Sequence, residues 1–199
     1  MSTKTFPEQE HEIIEQLQSL NNFQLSQKWK YEPNKCRYLL AIYFRSYQLS
    51  NIIKPNPEYK EKIELNYQQL WSFIFDKLLL SLPAEKYNLD LVLNLLTADF
   101  FSKFATELEL KKSSDLTDEQ IRFLPLEYFV DKALTTLYPL ERFIIVSKDK
   151  FSWSDEKICN YLQEHKQNLT NSEVNTYYMQ GHSRLINALP NDIVTIYLN

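Results

Sequence analysis

A single glycine, Gly181, occurs in this chain of 199 residues. A sheet protein of that length needs glycine at many of its tight turns, so the scarcity argues for helices joined by polar turns. It also excludes glycine-rich loops that cradle phosphate. Two cysteines, Cys36 and Cys159, are too few for a disulfide framework and fit a reducing cytosol. The three histidines, His11, His165 and His182, lie far apart, with no Cys or carboxylate at metal-ligand spacing. No G-x-S-x-G element and no Cys/His pairing occurs. Neither an enzyme, a metal site nor a cofactor is expected from such a residue set. The longest apolar runs are interrupted, as Asp76 and Lys77 interrupt Phe73 to Leu82, so no membrane span is expected. The stretch MSTKTFPEQEHE is acidic and has no signal-peptide core, and a cytoplasmic location is the expectation.

Apolar residues, by contrast, are plentiful. They make up 44% of the chain and aromatics 14%, enough to exclude a disordered polymer. The formal net charge of −4 argues against a general nucleic-acid coater. The charge is unevenly spread. Residues 28–62 hold eight Lys or Arg against three acids, whereas residues 151–199 hold Lys157, Lys166 and Arg184 against five acids.

Helical periodicity organises the rest. Ile13, Ile14, Leu17 and Leu20 share one face, with Glu enriched in the first turn. Phe23 to Pro33 reads as a polar connector. Its Trp29 and Tyr31 alternate with Lys28 and Lys30, and basic residues interleaved with aromatics can stack on and neutralise a nucleic-acid strand. The same rings can instead plug the core. Cys36, Leu39, Leu40, Tyr43 and Tyr47 predict a helix whose Arg37 and Arg45 reach the surface. KPNPEY at 54–59 breaks it. Ile63, Tyr67, Leu70, Trp71, Ile74 and Leu78 predict the next helix. Leu89, Val92, Leu93, Leu96, Phe100 and Phe104 predict a third. Together these can close an N-terminal bundle over residues 1–109. KKSSDLTDEQ marks a linker over 110–127, with a cap signal at Thr117 and Gln120. Residues 128–199 form the second domain.

That second domain carries the most specific pattern. Helices are predicted over 126–137 and from Pro139 to Val146, where a first-turn proline is tolerated. Ser154 then caps a helix with Ile158, Tyr161 and Leu162 on one face. Thr170 and Glu173 have capping-box spacing. Val174, Tyr178, Gly181, Leu185 and Leu189 follow at helical intervals. A short helix, a turn and a second capped helix make a candidate helix-turn-helix. NDIVTIYLN at 191–199 reads as an apolar tail packed back on the domain.

Residues Val174 to Leu185 read VNTYYMQGHSRL. They resemble the last helix of the sigma-70 family of RNA polymerase subunits, V-K-S-R-L-S-R-A-R-x-x-L. Val174 and Leu185 match directly, Tyr178 takes an apolar position and Gly181 the small one. LYPLERFIIV at 137–146 resembles the family's leucine-proline start. Ile158, Cys159, Tyr161 and Leu162 resemble its first reading helix. CRYLLAIYFRSYQLSNII and YQQLWSFIFDKLLL, with Trp71, are similar to the core-binding helices of short, two-domain members. The whole most resembles a divergent cyanobacterial group of that family.

The resemblance implies an all-α fold, an N-terminal bundle that binds RNA polymerase core, and a C-terminal helix-turn-helix that contacts promoter DNA. It places the DNA contacts at Asn175, Thr176, Tyr177, Gln180, His182, Ser183 and Arg184. Gln can read adenine and Arg guanine in the major groove. Lys28, Trp29, Lys30, Arg37 and Arg45 form the patch expected to meet polymerase or nucleic acid. An anti-sigma or regulatory protein is a further possible partner.

Asn175, Tyr177, Gln180 and His182 stand where the family carries Arg or Lys, and the turn before the last helix is longer and lacks Gly. Two alternatives stay open beside the initiation factor. One is a regulatory or protein-interaction module that has lost promoter reading. The other is a stand-alone DNA-binding repressor.

Overall fold

The computed structural model describes residues 11–32, 34–47, 63, 66–80, 89–104 and 117–198, apart from the side chains of Lys30 and Asp118. The N-terminal tail, the 54–59 break and residues 110–116 of the linker lie outside them. Among the described residues the protein is all-α, with ten α-helices and no strand. It divides into two compact units, 1–125 and 126–199.

The first unit begins with α1 (Glu12–Gln18). Next comes α2 (Asn22–Tyr31), where a connector was expected. Asn21 and Gln24 form a reciprocal capping box at its start, which satisfies two orphan amides. Leu25 and Trp29, one turn apart, are buried and hold it to the core. The sequence looked like a connector because only these two apolar residues share the buried face, while Phe23 and Tyr31 are exposed.

Helix α3 (Cys36–Ser46) lies at the centre. A single apolar stripe was expected, yet Tyr38, Leu39, Leu40, Ala41, Ile42 and Tyr43 are all buried. A helix covered all round is characteristic of a core position. Helix α1 packs on α3. Helices α4 (Tyr67–Leu80) and α5 (Leu89–Phe104) pack against each other, and α2 packs on α5. Helix α4 buries Tyr67, Leu70, Trp71, Ile74 and Leu78 as predicted, whereas on α5 Leu89, Val92, Leu93 and Phe100 are buried and Leu96 and Phe104 are half-buried. The centre is aromatic: the Tyr43 ring meets Trp71 edge-on at 4.8 Å and Phe75 at 5.8 Å. Such pairs contribute beyond their buried area.

Helix α6 (Asp118–Thr136) includes residues 118–127, which the sequence assigned to the linker. Its start is fixed by Thr117, whose hydroxyl accepts from the Gln120 amide while the Gln120 side chain accepts from the Thr117 amide. Pro125 lies inside the helix. A proline there removes the N–H that would bond the carbonyl four residues back, at Ile121. The Tyr43 hydroxyl donates to that carbonyl instead.

The second unit holds α7 (Pro139–Ile145), which runs into a π-helical turn (Val146–Lys150). Then come α8 (Asp155–Glu164), α9 (Asn171–Ala188) and α10 (Asn191–Tyr197). The expected apolar tail is therefore helical, with Ile193 fully buried. Helix α9 packs on both α7 and α8. Ile144, Ile158, Leu162 and Val174 form the core between them.

Candidate functional site

Helices α8 and α9 are fixed by local chemistry at three points. Ser154 Oγ accepts from the Lys157 amide at 3.2 Å, and Asp155 and Glu156 follow in the first turn. The C-terminus of α8 closes with Gln167 N–H donating to the Leu162 carbonyl and Lys166 N–H to that of Gln163. This is the Schellman arrangement, which needs a left-handed residue just past the helix. Lys166 takes that conformation at φ 63°, where glycine is usual. The longer turn thus closes without the glycine its geometry favours. Thr170 and Glu173 complete a capping box at α9, with Glu173 Oε2 2.8 Å from the Thr170 amide. These bonds hold the Glu173 carboxyl below its ordinary value, the backbone one first.

The residues expected to touch DNA divide into two sets. Asn175, Thr176, Gln180 and Ser183 are exposed. Thr176 Oγ1 donates to the Ser172 carbonyl, leaving its methyl free to make apolar contacts. The other three are engaged within the unit. Tyr177 is half-buried against the Ile144–Val174 core. His182 Nε2 lies 2.9 Å from Asp149 Oδ2, and the same carboxylate accepts from Tyr178 Oη at 2.7 Å. That bond, more than burial, pushes the Tyr178 hydroxyl up. Arg184 Nη1 lies 2.6 Å from Glu141 Oε1, and its guanidinium sits over the Tyr138 ring. Glu141 is 2% exposed, and its second oxygen has no partner.

Ser172, Asn175, Thr176, Met179, Gln180, Ser183 and Asn187 lie along the exposed face of α9, spaced three and four residues apart. Glu173 and Arg184 are exposed at its edge, Arg184 one turn beyond Gln180, and each is engaged by a partner inside the unit. Sequence reasoning overlooked Met179, although it follows Asn175 and Thr176 by four and three residues. It is one of the most exposed apolar side chains of the unit, at 62%.

Gly181 lies on the opposite side, where α9 crosses α7. A Cβ there would stand 2.7 Å from Ile145 Cδ1 and 3.2 Å from Glu141 Cβ. The only glycine is therefore kept for close packing of two helices rather than for a turn.

The basic and aromatic residues of the first unit do not form the expected patch. Trp29 is 1% exposed and belongs to the core. Arg45 does not reach freely into solvent. It donates to Gln18 Oε1 and Asn22 Oδ1, each at 3.2 Å, and to the Leu17 carbonyl. It thereby caps the C-terminal end of α1, where a cation is favoured. Burial pushes its guanidinium down from the ordinary arginine range. Lys28 and Arg37 line a cleft of about 210 Å³, but Glu12 and Glu32 line it too. The Lys30 side chain lies outside the described residues. Trp29 falls outside the expected patch because the sequence shows alternation but not which rings a helix turns inward.

Among the described residues no three His, Cys, Asp or Glu side chains have metal-binding geometry, and no helix is long and apolar enough to cross a membrane. Fold and site together define an all-α protein of two compact units, whose second unit presents exposed amide and hydroxyl side chains along α9. Comparison with known protein families, characterised proteins and solved structures found no match.

Proposed function

We propose that this chain is a non-enzymatic, sigma-like transcription initiation factor of the cytoplasm. Its first unit binds RNA polymerase core. Its α8–turn–α9 segment acts as a helix-turn-helix that meets promoter DNA. The observation that supports this reading best is the exposed face of α9. Three capping arrangements fix the helix pair, and Asn175, Thr176, Gln180 and Ser183 are left clear of neighbours. A capped second helix with polar side chains on its outer face is what major-groove reading requires. Duplex affinity comes mainly from neutralised phosphates, and the one arginine at this face, Arg184, is already paired with Glu141. Polymerase must therefore hold the DNA nearby and raise its effective concentration.

A second reading is a regulatory or protein-interaction module of the same fold that no longer reads promoters. The pairing of Arg184 with Glu141 and of His182 with Asp149 favours it.

The test is co-purification of the full chain with bacterial core polymerase, then core-dependent run-off transcription. Recovery of core together with a defined start site supports the initiation factor. Recovery of core without any start supports the second reading. If no core is retained at low salt, neither polymerase role stands.

A further inference from the structure

We infer that α9 reads A·T base pairs through its amide side chains, and that Arg184 is a strut rather than a base reader. The inference rests on the proposed promoter contact and adds the chemical class of its target. Guanine is most often read by a bidentate Arg or Lys on O6 and N7. The only arginine on α9 is Arg184. Its Nη1 is held 2.6 Å from Glu141 Oε1, and its guanidinium lies over Tyr138. Glu141 is almost fully buried and its other oxygen has no partner, so withdrawing Arg184 would strand a carboxylate. The guanidinium is thus retained on the α7 side. His182, the other group on α9 able to carry positive charge, is held by Asp149.

What remains on the exposed face is Asn175 and Gln180, with Thr176 and Met179 beside them. Asn and Gln present a donor and an acceptor in the spacing of adenine N6 and N7. Their partner thymine carries a methyl group, which the Thr176 methyl and the Met179 thioether can meet by apolar contact. With Arg184 engaged by Glu141 and Glu173 by the Thr170 cap, the amides are the uncommitted base-reading groups of the face. Helix α9 spans 18 residues, roughly 27 Å, and the major groove is wide enough to accept it.

The experiment uses the full chain bound to core polymerase and a pool of duplexes with a randomised block. Bound duplexes are recovered and sequenced. A·T pairs should be enriched at the positions nearest the chain. Gln180→Ala should reduce preference for adenine at one position by about tenfold, the worth of a bidentate contact. Gln180→Arg should shift that same position to guanine. Gln180 is exposed and both replacements are good helix formers, so folding is preserved. Enrichment of guanine by the unaltered chain, unchanged by either substitution, overturns the inference and leaves promoter binding standing. Retention of core with no base enriched overturns it as well, and leaves the interaction-module reading. Failure to retain core removes the polymerase reading, and the inference with it.

Discussion

The Tyr43 hydroxyl donates to the Ile121 carbonyl, which has no helical partner because Pro125 has no N–H. Tyr67 Oη donates to the Tyr47 carbonyl and lies 3.1 Å from the Tyr43 oxygen. The central helix α3 is thus tied by one phenol to the proline turn of α6. Tyr43→Phe keeps the ring against Trp71 and removes the bond. The bond is part-buried, so the loss should be near the lower end of the about 1–3 kcal/mol that a buried unpaired group costs. Pro125→Ala restores an N–H, so the Tyr43→Phe loss should be smaller in a Pro125→Ala background. Urea unfolding of the four proteins measures this, and strict additivity would refute the link.

Arg184→Ala should destabilise the second unit. Breaking a fully buried ion pair costs about 3–5 kcal/mol. Here the Arg184 side chain is 49% exposed, and water reduces the figure to about 2 kcal/mol. Replacing Glu141 and Arg184 together by Met should recover most of that loss, since no charge is then left buried. A double substitution worse than Arg184→Ala alone would show that the pair is not the source.

Lys166→Gly should stabilise the protein by about 1 kcal/mol, because a side chain in the left-handed conformation is strained and glycine is not. Lys166→Ala should change little, since alanine carries the same Cβ. The thermal midpoints of the two variants decide. Equal midpoints would mean that the strain at φ 63° is not expressed.

Acid should weaken the α9 cap. The folded-state value of Glu173 is below its ordinary 4.5, so the unfolded chain takes up its proton first. The carboxylate's contribution is fully present above pH 4.5 and is lost as pH falls through the lower folded value. Glu173→Gln keeps the hydrogen-bond geometry and removes the charge. The stability gap between the two proteins should therefore be constant near neutrality and close as pH falls below the ordinary carboxylate value of 4.5. A gap that does not vary with pH would contradict the assignment.

Most of the fold could be read in the sequence where apolar residues recur every three or four positions. The buried face of α4, most of that of α5 and the Thr170–Glu173 cap are local patterns and were found as expected. Besides the tail that forms α10, two elements were misread for a physical reason. Helix α2 shows too few apolar residues to reveal its period. The start of α6 was hidden by Pro125, whose cost is offset by Tyr43, a residue 78 positions from Ile121. The site was only partly legible, and for the same reason. Helical spacing placed Asn175, Gln180 and Arg184 on α9, but the partner that draws Arg184 inward, Glu141, lies 43 residues away. Sequence distance conceals such pairs, and an arginine is easily counted as available when it is not.

Gly181 gives α9 a fulcrum. Only hydrogen separates the two helices at that crossing, so any larger residue must push against Ile145 and Glu141. A methyl group inserted there alters no residue of the exposed face, yet it displaces the Ile145 side chain and crowds Glu141, the carboxylate that holds Arg184.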